Sequence, residues 1–137
     1  MTTATQVFEQ IRQHAEANKS DRTIYIDPEI GQYTPQGDVN FLVLDKLPVG
    51  VIASKPERQL APGTTRGSRH CIADRCMKTT DFYQHRNPNP LQGAILVAKS
   101  ELEIEHPEHA NLVFPAGTIL AVGFQRQYAD ELKRAVD

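Results

Sequence analysis

Three histidines are the residues of this chain best suited to chemistry. His106 and His109 stand three apart in Glu105-His106-Pro107-Glu108-His109, and His70 closes the run Arg66-Gly67-Ser68-Arg69-His70. Neutral imidazole is the commonest protein ligand for transition metals, and it titrates near physiological pH. On a helix a spacing of three would put both rings of the pair on one face. With Pro107 between them and a strand before them, the segment reads instead as a turn, which can also converge two rings on one ion. With His70 they make the three-imidazole set that a catalytic metal site uses while leaving a position open for water. Zinc, manganese or iron would be the divalent ion. Glu105 or Glu108 would add a fourth ligand or orient a ring, and Glu108 is also the candidate base. The same residues equally describe a polar turn between strands, or a polar site without metal.

Other side chains could serve an anion. The segment Leu60 to Ile72 holds Gly63 and Gly67, with Arg66, Arg69 and His70 beside them. From Arg66 to Arg86 there are five basic residues against Asp74 and Asp81, a local excess that suits phosphate or the acidic strand Glu101-Glu103-Glu105. Arg69, Arg126 and Tyr128 are the candidate anion-pocket residues. Cys71, Cys76 and His85 are too widely spaced for a structural zinc site, which takes two tight ligand pairs. A buried small hydrophobe is the ordinary role for such a cysteine. There is no strand, glycine loop and Lys-Ser/Thr sequence for a nucleotide, and no Gly-x-Ser-x-Gly elbow.

Short strands make up most of the framework around these residues. Residues 3–18 read as a helix with Val7, Phe8, Ile11 and Ala15 on one stripe, and residues 130–136 as a closing helix with Leu132 and Val136 four apart. Thr23 to Ile26 is a short strand, and 27–38, with two prolines and two glycines, reads as mostly turn. Val39 to Asp45 is an apolar strand expected to be buried on both faces, with Val51 to Ala53 expected beside it. Residues 55–69 form a long excursion, and His70 to Ala73 a short strand. Ala94 to Ala98 is a strand. In Glu101 to Glu105 acidic and apolar residues alternate, the signature of a half-buried antiparallel strand. Pro115-Ala116-Gly117 is a turn and Thr118 to Phe124 a strand. The pattern predicts a mainly β single domain, a small antiparallel barrel or two-sheet sandwich with flanking terminal helices.

Composition excludes several classes. The chain has 137 residues, enough for one core, with 39% apolar and 23% charged residues, which are globular values. A net charge of −2 and no tryptophan argue against a nucleic-acid-coating surface. No apolar run approaches the ~18 residues that span a membrane. The start of the chain lacks a signal-peptide pattern, and two cysteines make no disulfide framework, so the expectation is a cytoplasmic protein with reduced thiols.

Several short motifs in order resemble a family of small uncharacterised proteins of bacteria and their phages. They are Gly37-Asp38-Val39, Leu47-Pro48, Leu60-Ala61-Pro62-Gly63, Gly67-Ser68-Arg69-His70, His106-Pro107-Glu108-His109, Pro115-Ala116-Gly117 and Gln125-Arg126-Gln127-Tyr128. The family pattern has Gly-His-x-His, His-x-Glu-His and Gln-Arg-Glu-Tyr at the later positions. Here Ser68 replaces a histidine, Gln127 replaces a glutamate and Thr64 stands where an acidic residue is expected. The resemblance runs from about residue 37 to the C-terminus and implies no established activity. If those positions build a metal site, this chain has lost one ligand and two carboxylates. Cupins, small barrels with separated histidine motifs, are an architectural analogy only.

Two readings follow from the sequence. The first is a non-catalytic binding or self-assembling β module, a homo-oligomer through its terminal helices. The alternative is a metal-binding protein or metal-dependent enzyme using His70, His106 and His109. A nucleic-acid or phage-accessory role ranks third.

Overall fold

The computed structural model describes residues 22–125, so both expected terminal helices, with Arg126 and Tyr128, lie outside the described residues. Ten strands follow in chain order: β1 (Thr23–Tyr25), β2 (Tyr33–Gln36), β3 (Val39–Leu44), β4 (Ile52–Ala53), β5 (Cys71–Ile72), β6 (Thr80–Gln84), β7 (Gln92–Ala98), β8 (Leu102–Glu105), β9 (Asn111–Phe114) and β10 (Ile119–Phe124). They form two sheets, of order β1-β9-β8-β5 and β2-β3-β10-β7-β6-β4. Among the described residues only β1 and β9 run parallel; every other pairing is antiparallel. Of the two architectures the sequence allowed, the described chain takes the two-sheet form, and no closed barrel is present. Among the described residues no helix is long and apolar enough to cross a membrane.

One hydrophobic core lies between the sheets. Val39, Phe41, Val43, Leu96, Leu120 and Val122 meet Ile72, Leu102, Ile104, Leu112 and Phe114 in a single cluster. Phe41 and Phe114 join the two layers with ring centroids 6.2 Å apart and planes tilted by 60°. Truncating either ring would open a cavity worth about 3–5 kcal/mol. In β8, Leu102 and Ile104 are fully buried while Glu103 and Glu105 face outward, as the alternation requires.

The structure refines the expectations at four points. Residues 27–38 are mostly turn and coil, as expected, but they also hold β2. Tyr33–Gln36 pairs with β3, and Pro35 is tolerated because β2 is an edge strand where a missing N–H breaks no ladder. Second, β3 is not buried on both faces. Val39, Phe41 and Val43 face the core while Asn40, Leu42 and Leu44 are half-buried on the other face. The outward leucines hide this alternation in the hydropathy pattern. Third, β4 pairs with β6, because both edges of β3 are taken by β2 and β10. Last, β6 and β9 are strands that the sequence pattern does not announce. In β6 only Phe82 is strongly apolar and buried, and β9 follows the histidine turn directly.

Candidate functional site

The histidine cluster is assembled by three loops at one end of the two sheets. The first is the hairpin between β2 and β3. Gln36 pairs with Val39, leaving the two-residue loop Gly37-Asp38. Gly37 has φ +57° and Asp38 is not in the positive-φ region, which is the pattern of a type II′ turn with glycine in its first central position. The second loop is a single 3-10 turn, Arg66–Ser68, which delivers His70 just before β5. The third is the turn between β8 and β9, which carries His106 and His109.

These loops bring the three imidazoles together. The rings of His70 and His106 have centroids 4.4 Å apart, and those of His106 and His109 4.7 Å apart. His70 and His106 are each 1% exposed, whereas His109 is exposed. Gly37 closes the cluster: a Cβ on it would lie 2.7 Å from Nε2 of His109 and 3.6 Å from Cε1 of His70.

Hydrogen bonding assigns the tautomers. The Gln36 amide nitrogen donates to the carbonyls of Ile104 and Ala110, at 3.1 and 2.9 Å. Its oxygen must therefore accept, so Nδ1 of His70, 2.8 Å away, carries a proton. Nε2 of His70 is left with its lone pair. In His106 the pattern is reversed. Nδ1 accepts the backbone N–H groups of Glu108 and His109, at 3.0 and 3.1 Å, and Nε2 donates to the Gly67 carbonyl at 3.0 Å. Both nitrogens of His106 are thus engaged by the backbone.

Burial keeps His70 and His106 neutral. The His70 pKa is lowered to about 3, first by burial and then by the neighbouring imidazoles, while the Gly67 carbonyl opposes the shift. His106 is lowered too, mainly by burial. Neutral imidazole is the form that binds metal. Yet both nitrogens of His106 are taken by backbone groups and the His70 ring also meets the Gly67 carbonyl, so of the three only the His109 ring makes no hydrogen bond among the described residues. Among the described residues, no group of three or more His, Cys, Asp or Glu side chains is set to hold a metal ion.

The remaining candidates are scattered. Glu108 is exposed, with its carboxylate 4.0 Å from Nε of Arg66, a separation and exposure that give little energy. Arg69 is exposed. One of the five basic residues from Arg66 to Arg86 is answered by the acidic strand: Arg75 reaches Glu103 at 2.7 Å and Glu101 at 3.7 Å. Arg58 reaches Glu105 at 3.1 Å. Cys71 and Cys76 are free thiols. Burial raises the Cys71 pKa, which favours the unreactive protonated form. Gln36 is the residue that sequence reasoning missed, since nothing in its neighbourhood marks a glutamine as a histidine's partner.

A second region is a cavity of about 290 Å³ whose floor includes Leu60, Phe82 and Ala94. A third is a groove of about 430 Å³ on the face of the six-stranded sheet away from the core. It is lined by Tyr33, Leu42, Ala121 and the fully buried Ile95, in register across four strands, and Tyr83 continues that row on β6 outside the groove.

Neither a curated protein nor a solved structure matches the chain. A family model described as a domain of unknown function (DUF8820) matches residues 35–123, a stretch that holds every loop of the histidine cluster. On that match the chain belongs to the family of this domain of unknown function.

Proposed function

We propose that this protein is a binding module without catalytic machinery of its own, in which the histidine cluster locks three loops together. The observation that carries this reading is the double engagement of His106, whose ring caps one loop through Nδ1 and ties down another through Nε2. A catalytic or ligating imidazole needs a free nitrogen. Self-assembly belongs to the same reading, supported by the apolar row from Tyr33 to Tyr83, with a second copy of the chain as its occupant. Tyr33 is exposed and Leu42, Ala121 and Tyr83 are half-buried, while Ile95 is fully buried among them, so a two-fold contact would bring the Tyr33 and Leu42 end of the row against its own copy. The free thiols support a reducing, cytoplasmic setting. Origin in bacteria or their phages rests on the motif resemblance alone.

A second reading is favoured by one observation. Gln36 orients His70 as partners of metal-bound histidines do, leaving Nε2 with its lone pair. His70 and His109 would then hold a zinc, manganese or iron ion. Elemental analysis of untagged protein purified without chelator separates the readings. The binding-module reading expects no stoichiometric metal. One equivalent of metal, lost in both His70→Ala and His109→Ala, would overturn it. Sedimentation of wild type against Leu42→Glu tests self-assembly, which predicts a dimer that the charge disrupts.

A further inference from the structure

The chain from Ser54 to Gln59 crosses from one sheet to the other. At its start, the Ser54 N–H donates to the Phe82 carbonyl beside β6; at its end, Gln59 bridges Cys71 of β5. The cavity of about 290 Å³ lies beneath this crossing. Lys55, Glu57 and Gln59 line it while Pro56 and Arg58 do not, the alternation of an extended segment presenting one face. Across from them β7 carries a bulge: Ala121 pairs with Ile95 but Gly123 pairs with Gln92, so Gly93 and Ala94 together oppose Val122. Bulges of this kind re-aim side chains and concentrate beside functional sites. A Cβ on Gly93 would crowd the side chains of Val122 and Phe124, at 3.0 and 3.1 Å.

The cavity joins an apolar floor to a charged rim. Leu60 and Phe82 belong to the core and Ala94 packs against it. Among the described residues, Lys55 and Glu57 make no hydrogen bond or ion pair, so an ammonium and a carboxylate two residues apart are left without internal partners. A volume near the lower end of ligand sites, about 300 Å³, calls for a small molecule. We propose that this cavity binds a free α-amino acid with an apolar side chain. Lys55 takes the carboxylate, Glu57 takes the ammonium, and the side chain rests on Leu60, Phe82 and Ala94. The proposal rests on the binding-module reading and supplies its ligand class.

The test is titration of the full chain with L-leucine, followed by calorimetry and by amide NMR shifts. Saturable binding is expected, with shifts at Leu60, Phe82 and Ala94. Lys55→Ala and Glu57→Ala should each weaken binding about tenfold, a loss of about 1.4 kcal/mol. N-acetyl-L-leucine, which lacks the ammonium, and L-leucine methyl ester, which lacks the carboxylate, should bind as weakly as the variants bind leucine. Absence of saturable binding, or binding that both variants or both analogues leave unchanged, would overturn the proposal. Such a failure leaves the binding-module reading to its own tests of metal content and self-assembly.

Discussion

Gln36 and His70, 34 residues apart, share a buried hydrogen bond of 2.8 Å that decides which ring nitrogen of His70 carries the proton. The decision is made by backbone carbonyls, because Ile104 and Ala110 hold the amide nitrogen of Gln36 and leave only its oxygen to face the ring. One glutamine thereby ties the β2–β3 hairpin to His70 and to the turn between β8 and β9.

His106→Ala removes the acceptor for two backbone N–H groups and the donor to Gly67. Loss of stability by about 2–4 kcal/mol is expected in urea unfolding. A change below about 0.5 kcal/mol, the range of ordinary surface substitutions, would show that the cluster does not hold the loops.

Gly37→Ala should destabilise by about 1–3 kcal/mol, because alanine resists positive φ and its Cβ would meet the His109 ring. Adding His109→Ala should recover the steric part and leave the backbone part. Strict additivity in the double-mutant cycle would contradict the contact.

Stability should depend on pH through His70. Its folded pKa, about 3, lies below the ordinary value of 6.5, so between these values the unfolded chain takes up a proton that the folded chain refuses. Stability is fully present above pH 6.5 and falls as pH drops through that window, at a limiting slope of about 1.4 kcal/mol per pH unit for one proton. His106 is shifted in the same direction and adds to the fall. His70→Asn keeps a donor toward Gln36 and removes the titration, so its stability curve should be flatter across this range. An unchanged curve would remove His70 as the cause.

Thr34 is buried, and among the described residues its hydroxyl has no hydrogen-bond partner. Thr34→Val should be neutral or stabilising by about 1 kcal/mol, since it removes a desolvated polar group at nearly constant shape. A destabilisation of similar size in thermal melts would mean that the hydroxyl is satisfied.

Elements with a local signal can be read directly from the order of residues. The alternation of Glu101 to Glu105 marks β8 because side chains on a strand point to opposite faces in turn. Gly117, with φ +90°, follows Pro115 in the turn before β10 as the local pattern requires. The histidines, too, are legible as a set of residues able to do chemistry. Their arrangement is not, since His70 and His106 meet only when β5 pairs with β8, a contact between distant parts of the chain. Nδ1 of His106 is taken locally, by the N–H groups of Glu108 and His109 in its own turn, but only long-range packing commits Nε2 to the Gly67 carbonyl, a partner with no side-chain signature. The same packing places Lys55 and Glu57 over an apolar floor, where a charged loop meets core residues brought from β6 and β7.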